Sequence, residues 1–383
     1  MTNEVFITKI AAFLPNEPVT NDEVENVLGV VNNKKSRALK IVLRNNGIKT
    51  RYYVLDKQTG EPKYNNAQLT AVAVRALNDD DFSINDIQCL SCGTTIADQL
   101  VPGHAVMVHG ELGNPPCETA TTIGVCSSSV SSLKYGYMNV KSGCSSNAVV
   151  TGSEVASLTL RANSYASIED DALAEEIQRR PELAFEKDFL RWMLSDGAGA
   201  MLLEAKPRPG RLSLRIDWIE VISFANMLES CMYAGAEKES TGRLIGWREF
   251  PLQEMIEKDV LALKQDVKLL NKHIVPLTIE RGMTMVAERR NITVDEIDYF
   301  LPHISSEYFR DKLAQGLDNI GFSIPQEKWF TNLSTKGNTG AASIYIMLEE
   351  LFNSGKLESG QKILCFVPES GRFLSSFVML TVV

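Results

Sequence analysis

Four side chains in this sequence have the types and settings needed to work on an electrophilic carbonyl: Cys126, His303, Asn338 and Glu154. Cys126 stands in TTIGVCSSSVSSLKYGYMNVKSG, where small residues lead into an amphipathic helical pattern with Leu133, Tyr137 and Val140 on one stripe. A thiol at a helix N-terminus feels the positive end of the macrodipole, which favours thiolate. The same position leaves backbone N–H groups free to hold a developing oxyanion. His303 ends the apolar strand FLPH. Asn338 opens a helix within STKGNTGAAS, whose glycines permit close backbone approach. Glu154 ends the strand AVVTGSE and is an acid or base for proton transfer. Taken singly, each has an ordinary reading: a core cysteine, a satisfied histidine, a helix cap, a strand-end carboxylate. The argument for chemistry is the set, each member standing at the end of a strand or at a turn.

The elements that would bring the set together are legible as a repeat. Short apolar runs alternate with helical patterns, as expected for parallel or mixed sheets covered by helices. Asp86-Ile87 opens CLSCGTT and Glu296-Ile297 opens YFLPHIS, a displacement of 210 (297 − 87). Cys126 and Asn338, displaced by 212 (338 − 126), each begin a helical pattern that ends in Ser-Gly. A strand follows each pattern, and their terminal glutamates, Glu154 and Glu369, are displaced by 215 (369 − 154). The order predicts an internal duplication with halves 1–185 and 186–383, the first carrying the cysteine and the second the histidine and asparagine. A pseudo-two-fold axis between halves would set Cys126 opposite Asn338, with His303 beside them, at strand-to-helix turns where α/β sheets build their sites. The polar stretch 162–188 and the charged helix around 251–275 read as surface insertions, the former connecting the halves.

Composition narrows the alternatives. The chain has 383 residues, 44% of them hydrophobic, and a formal charge of −9, which argues against a general nucleic-acid binder. Its N-terminus lacks the basic and apolar regions of a signal peptide, and no long uncharged apolar stretch appears, so a cytoplasmic protein outside the membrane is expected. The seven cysteines are oddly spaced for a disulfide scaffold. Cys89-x-x-Cys92 has no second pair to complete a metal site, and no glycine-rich motif suggests a nucleotide cofactor. Between Asn33 and Arg51 lie Lys34, Lys35, Arg37, Lys40, Arg44, Lys49 and Arg51 with no acid, either a solvated face or a docking patch for a phosphate-bearing partner.

The segments FLPNEPVTNDE, NGIKTR, DIQCLSCGTTIADQLVPGHA, GVCSSS, NAVVTGSEVAS, LSDGAGAMLLE, DYFLPH, KGNTGAAS and SGRFLSSFVML, in this order, resemble the β-ketoacyl–acyl-carrier-protein synthase III family of the thiolase superfamily. The resemblance implies a homodimer of five-layered αβαβα subunits that needs no cofactor beyond the phosphopantetheine of its substrates, whether carried by acyl carrier protein or by CoA. It implies that Cys126 accepts an acyl group, with an oxyanion held by its own N–H and by one from the loop containing Ser370 and Gly371. It implies further that His303 and Asn338 stabilise the enolate of a second thioester, which then attacks the acyl-cysteine.

Departures from the family pattern refine this. The usual tryptophan before Gly-Ile is absent from the segment Lys40–Ile48, and Arg44 stands one place from the usual tunnel arginine, whereas Arg51 keeps its basic position. An acidic carrier protein docked on Lys40, Lys49 and their neighbours is therefore expected. Val101 replaces the aromatic gate contributed across the dimer, which should open the acyl pocket. With IVLRNNGIKTR followed by YYVLDKQTG, these features are similar to ketosynthase-cyclases that make cyclohexanediones on the way to dialkylresorcinols and stilbenes, a reaction in which Glu154 would move the extra proton. The alternatives are an ordinary decarboxylative synthase III and a non-catalytic condensing-enzyme partner. A degradative thiolase would need a second active cysteine, and Cys365, inside the strand ILCF, is placed as core.

Overall fold

The computed structural model describes residues 3–31, 39–164 and 190–383. Nine strands carry the fold: β1 (Phe6–Phe13), β2 (Cys89–Thr94), β3 (Glu118–Ile123), β4 (Asn147–Glu154), β5 (Gly197–Glu204), β6 (Leu214–Ser223), β7 (Tyr299–Pro302), β8 (Lys362–Glu369) and β9 (Leu374–Val382). They run in the order β7-β8-β9-β6-β1-β5-β4-β2-β3. Two sets are evident within this order. The first, β1-β5-β4-β2-β3, joins the second, β6-β9-β8-β7, along a short edge where Phe6 lies opposite Arg215 and Ile7 opposite Leu214. In each set a parallel pair (β2 with β4, or β7 with β8) is followed by antiparallel neighbours.

Eight helices matter to the site: α1 (Leu39–Asn46), α2 (Asn66–Arg75), α3 (His104–Leu112), α4 (Ser128–Ser142), α5 (Val267–Ile274), α6 (Gly282–Arg290), α7 (Arg310–Asn319) and α8 (Ser343–Phe352). Helices α4 and α8 form the central layer. The first six residues of α8, Ser343–Leu348, are all buried, as a helix enclosed on every side requires. In α4 the buried face is built from Ser128, Ser129, Ser132 and Gly136 with Val130, Leu133 and Val140, small enough to lie close against β2 and β4. Helices α2 and α3 cover the outer face of the first set, and the segment containing α5 and α6 covers β8 and β9.

The duplication extends to the caps. A short turn of helix precedes β2 at Ile84–Asp86 and another precedes β7 at Val294–Glu296, each opened by a capping box, Ser83 with Asp86 and Thr293 with Glu296. The division at 185/186 falls outside the described residues; β5, which follows it, is paired with β1 and β4 of the first set. The segment around 251–275 is not confined to the surface: Val267, Leu270 and Ile274 of α5 are buried because its apolar positions recur at helical spacing toward the core. The expected insertion at 162–188 lies almost wholly outside the described residues. Among the described residues no helix is long and apolar enough to cross a membrane.

Candidate active site

Gly152, near the end of β4, fixes the crossing of the two central helices. A methyl group there would lie 2.5 Å from the Ala341 carbonyl oxygen and 2.7 Å from Ser129 Cβ. Glycine is required because the starts of both helices press on the same backbone. Tyr345 of α8 ties them together, its hydroxyl donating to Ser129 O at 3.1 Å. Cys126 and Asn338, each a few residues before its helix, are thereby delivered to one place.

One cavity is lined by Cys126, Glu154, His303 and Asn338, enclosing about 970 Å³ of unfilled space counting its mouth. The sequence reading placed these four residues together, and the fold does so from both halves of the chain. Much of its wall is apolar, with Leu190, Met193, Leu263, Leu270, Ile274 and Phe309. Such a pocket, oily with a few convergent polar groups, is the usual form of a site for an acyl-type ligand.

His303 is buried at the end of β7, its backbone N–H bonded to Phe366 O at 2.8 Å, and neither ring nitrogen has a hydrogen-bond partner. Burial lowers its pKa to about 4, so the ring is neutral near pH 7 and offers one donor and one acceptor to the cavity. Asn338 is held by its backbone, which donates to Met193 O and accepts from Ser195 N–H. Its Oδ1 accepts from Gly340 N–H at 3.0 Å, which leaves the amide NH₂ as the group to present to a ligand oxygen. Glu154 accepts from the Thr95 hydroxyl and from Ala341 N–H. Gly340 has a positive φ of 51°, and a side chain there would collide with the Glu154 carboxylate. Burial raises the Glu154 pKa to about 7, the two hydrogen bonds partly opposing it.

Cys126 is 9% exposed, and its own N–H lies against its Sγ. Burial pushes the Cys126 thiol pKa up, and the carboxylates of Glu369 and Glu154 add to this, against the pull of the helix terminus toward thiolate. Ser370 lines the cavity, and Gly371 O accepts from Cys231 and Met232 N–H.

Arg51 is also corrected. It is 0% exposed, donating to Asn21 Oδ1 at 2.8 Å and Trp192 O at 3.3 Å, so it braces the interior instead of joining a docking face. Lys40, Arg44 and Lys49 are exposed, whereas Lys34, Lys35 and Arg37 lie outside the described residues. Val101 is 81% exposed in the single chain and does not line the cavity. Cys89 and Cys92 are fully buried in β2, and Cys365 is buried in β8. Sequence reasoning missed the Glu369 side chain, although the repeat pairs it with Glu154. It also missed the cavity wall from α5 and α7, whose residues look like ordinary core.

The chain is similar in sequence and in fold to several known proteins. Residues 287–379 match the family described as 3-oxoacyl-[acyl-carrier-protein (ACP)] synthase III C terminal. The β-ketoacyl-[acyl-carrier-protein] synthase III of Clostridium perfringens is 25% identical over 318 residues, 83% of each chain. That of Streptococcus gordonii is 24% identical over 360 residues, 94% of this chain and 93% of the relative. Among solved structures, AbyA1, a tetronic acid condensing enzyme, superposes with a TM-score of 0.74 at 21% identity, covering 98% of this chain and 99% of that one. OleA of Xanthomonas campestris, solved with bound lauric acid and lauroyl-CoA, gives 0.73 at 20% identity over 100% of both chains. The thiolase-like fold and the resemblance to the synthase III family are thus borne out along most of the chain.

Proposed function

We propose, from the premise that this chain is a relative of the synthase III family, that it is a condensing acyltransferase in which Cys126 carries the acyl group. The observation that carries this reading is the convergence of Cys126, His303 and Asn338, from two halves of a duplicated fold, on one largely apolar cavity. The Cys126 sulfur, having lost its proton, attacks an acyl thioester carbonyl, and the tetrahedral oxyanion rests on the Cys126 N–H and on a donor from the loop containing Ser370 and Gly371. Collapse expels the pantetheine sulfur, which leaves as the thiol with the proton that Cys126 gave up. A second thioester then places its carbonyl oxygen between the Asn338 amide and a His303 N–H, which stabilise the enolate formed there when its α-carbon loses CO2 or a proton. The enolate carbon attacks the acyl-cysteine, forming the new carbon–carbon bond and freeing the sulfur.

The substrates on this reading are thioesters of phosphopantetheine, delivered by an acidic carrier protein to Lys40 and Lys49 or as CoA thioesters. The enzyme works as a homodimer. Strand β3 is the edge of the sheet, and Leu100, Val101, Val106 and Ile123 near it are exposed, a surface that pairing with a second copy would cover. Val101 then reaches the partner's acyl pocket.

A finer reading adds ring closure to a cyclohexanedione, as in dialkylresorcinol and stilbene formation. It is favoured by Glu154, a carboxyl poised near neutrality in the cavity wall beside the Asn338 turn. Supplying the enzyme with a β-ketoacyl and an unsaturated acyl thioester and analysing products by mass spectrometry tests both levels. A cyclic dione supports the finer reading. Linear β-ketoacyl products with efficient use of a malonyl thioester leave the ordinary synthase III reaction, and absence of any condensation leaves a non-catalytic partner.

A further inference from the structure

The turn that holds Cys126 is not capped by its own side chains. Ser127, at the N-cap of α4, makes no side-chain capping bond. The cap comes from the other half of the chain: Glu369 Oε2 accepts from both Val125 N–H and Ser127 N–H, at 3.1 Å each. These two donors flank Cys126, so the N–H left between them is the one that lies at the nucleophilic sulfur. The β8–β9 hairpin completes the clamp. Ser127 Oγ donates to Val367 O, and Ser376 Oγ donates to Ser127 Oγ, both at 3.1 Å. Gly371 leaves room for the carboxylate, since a methyl there would lie 3.1 Å from Glu369 Oε1 and 3.0 Å from Val125 Cγ2.

The duplication shows that this is one arm of a reciprocal arrangement. Glu154 ends β4 as Glu369 ends β8, and each reaches the turn before the other half's central helix: Glu154 accepts from Ala341 N–H beside Asn338. The Glu369 arm differs in consequence, because a carboxylate beside Cys126 opposes the positive field of the α4 terminus where thiolate would form.

We propose that Glu369 is a positioning residue for the nucleophile, fixing the Val125–Ser127 turn so that, of the three N–H groups of that turn, the one of Cys126 is left for the substrate oxyanion, and setting a carboxylate beside the sulfur. The inference rests on the reading of Cys126 as the acyl-carrying residue. The titratable groups facing Cys126 are Glu369 from β8, Glu154 from β4 and His303 after β7, and no Lys or Arg is among the described residues of the cavity wall to offset the two carboxylates. Glu369 is itself pushed up by burial, against the pull of its two backbone hydrogen bonds.

Two variants separate clamp from charge. Glu369→Gln keeps an oxygen for both N–H groups and removes the charge; Glu369→Ala removes both. The pH dependence of Cys126 alkylation by iodoacetamide, followed by peptide mapping, and the rate of acyl loading from an acyl thioester are measured for each. In Glu369→Gln the alkylation inflection is expected to move down by about one pH unit or more, a tenfold faster reaction on the acid side, with loading within about threefold of wild type. In Glu369→Ala loading is expected to fall about a hundredfold, the scale of losing one oxyanion donor. An unchanged alkylation profile in Glu369→Gln, or wild-type loading in a folded Glu369→Ala, overturns the proposal. If Glu369→Ala fails to fold, the Glu369→Gln profile decides. Wild-type protein that is alkylated at Cys126 but never acylated there would defeat the condensing-enzyme reading instead, and the alkylation comparison would still judge Glu369.

Discussion

Replacing Gly152 by alanine perturbs the point on which the whole site is hung. The added methyl would meet the Ala341 carbonyl oxygen at 2.5 Å and Ser129 Cβ at 2.7 Å, and the first of these is backbone that cannot rotate away. Restoring ordinary contacts near 3.5 Å requires the starts of α4 and α8 to move by roughly 1 Å. Overpacking of this kind costs about 1–3 kcal/mol of stability. The larger effect is expected on activity, because the displaced segments adjoin Cys126 and Asn338, and a misplacement of about 1 Å can cost on the order of a hundredfold in rate. Denaturant midpoints and single-turnover acyl loading followed by intact-protein mass spectrometry measure the two effects separately. Gly110→Ala is the control, since nothing lies within 4 Å of its added methyl and the position is an exposed helical one. It should gain about 0.5–1 kcal/mol and load normally. Wild-type loading in Gly152→Ala, with stability no lower than in the control, would refute the claim that this crossing sets the site.

The half-reactions separate by residue: His303→Ala and Asn338→Ala should accept an acyl group on Cys126 at near wild-type rate and lose condensation by at least about a hundredfold, measured with labelled second substrate. Glu154 titrates near pH 7, protonated below and ionised above, so if it serves as base the cyclised fraction should rise as pH increases through about 7 and become flat in Glu154→Gln, read from product ratios across a pH series. Reversing Lys40 and Lys49 to Glu should raise KM for carrier-bound substrate severalfold, most at low salt, with little change for a short thioester mimic; equal losses on both would assign these residues a structural role.

The parts of this molecule that were legible in its sequence are those where chemistry and period coincide. Cys126, His303 and Asn338 stood out because each ends an apolar run or opens a helix, and the displacement of 210 to 215 between halves brought them together before any geometry was known. The boundary between halves was not legible, because β5 reads as a buried small-residue run, GAGAMLLE, and nothing in it says which set it joins. Arg51 misled for a physical reason: a basic side chain within a basic run looks solvated, yet it is fully buried, its Nη2 donating to Asn21 and the Trp192 carbonyl while Nε and Nη1 have no partner. The electrostatic setting of the thiol was half legible, because the helix terminus is visible in sequence, whereas Glu369 arrives from a strand more than two hundred residues away. The apolar cavity wall on α5 and α7 was hidden for a similar reason, since core and pocket residues share one composition until the fold separates them.

The central claim, that Cys126 carries the acyl group, is tested most directly by incubating the protein with a panel of acyl thioesters and weighing the intact chain, then mapping the modified peptide. The account predicts a mass increase equal to one acyl group, located on Cys126, reversed by a thiol nucleophile and absent from Cys126→Ala. An acyl adduct on another residue, or loading that persists in Cys126→Ala, would contradict it.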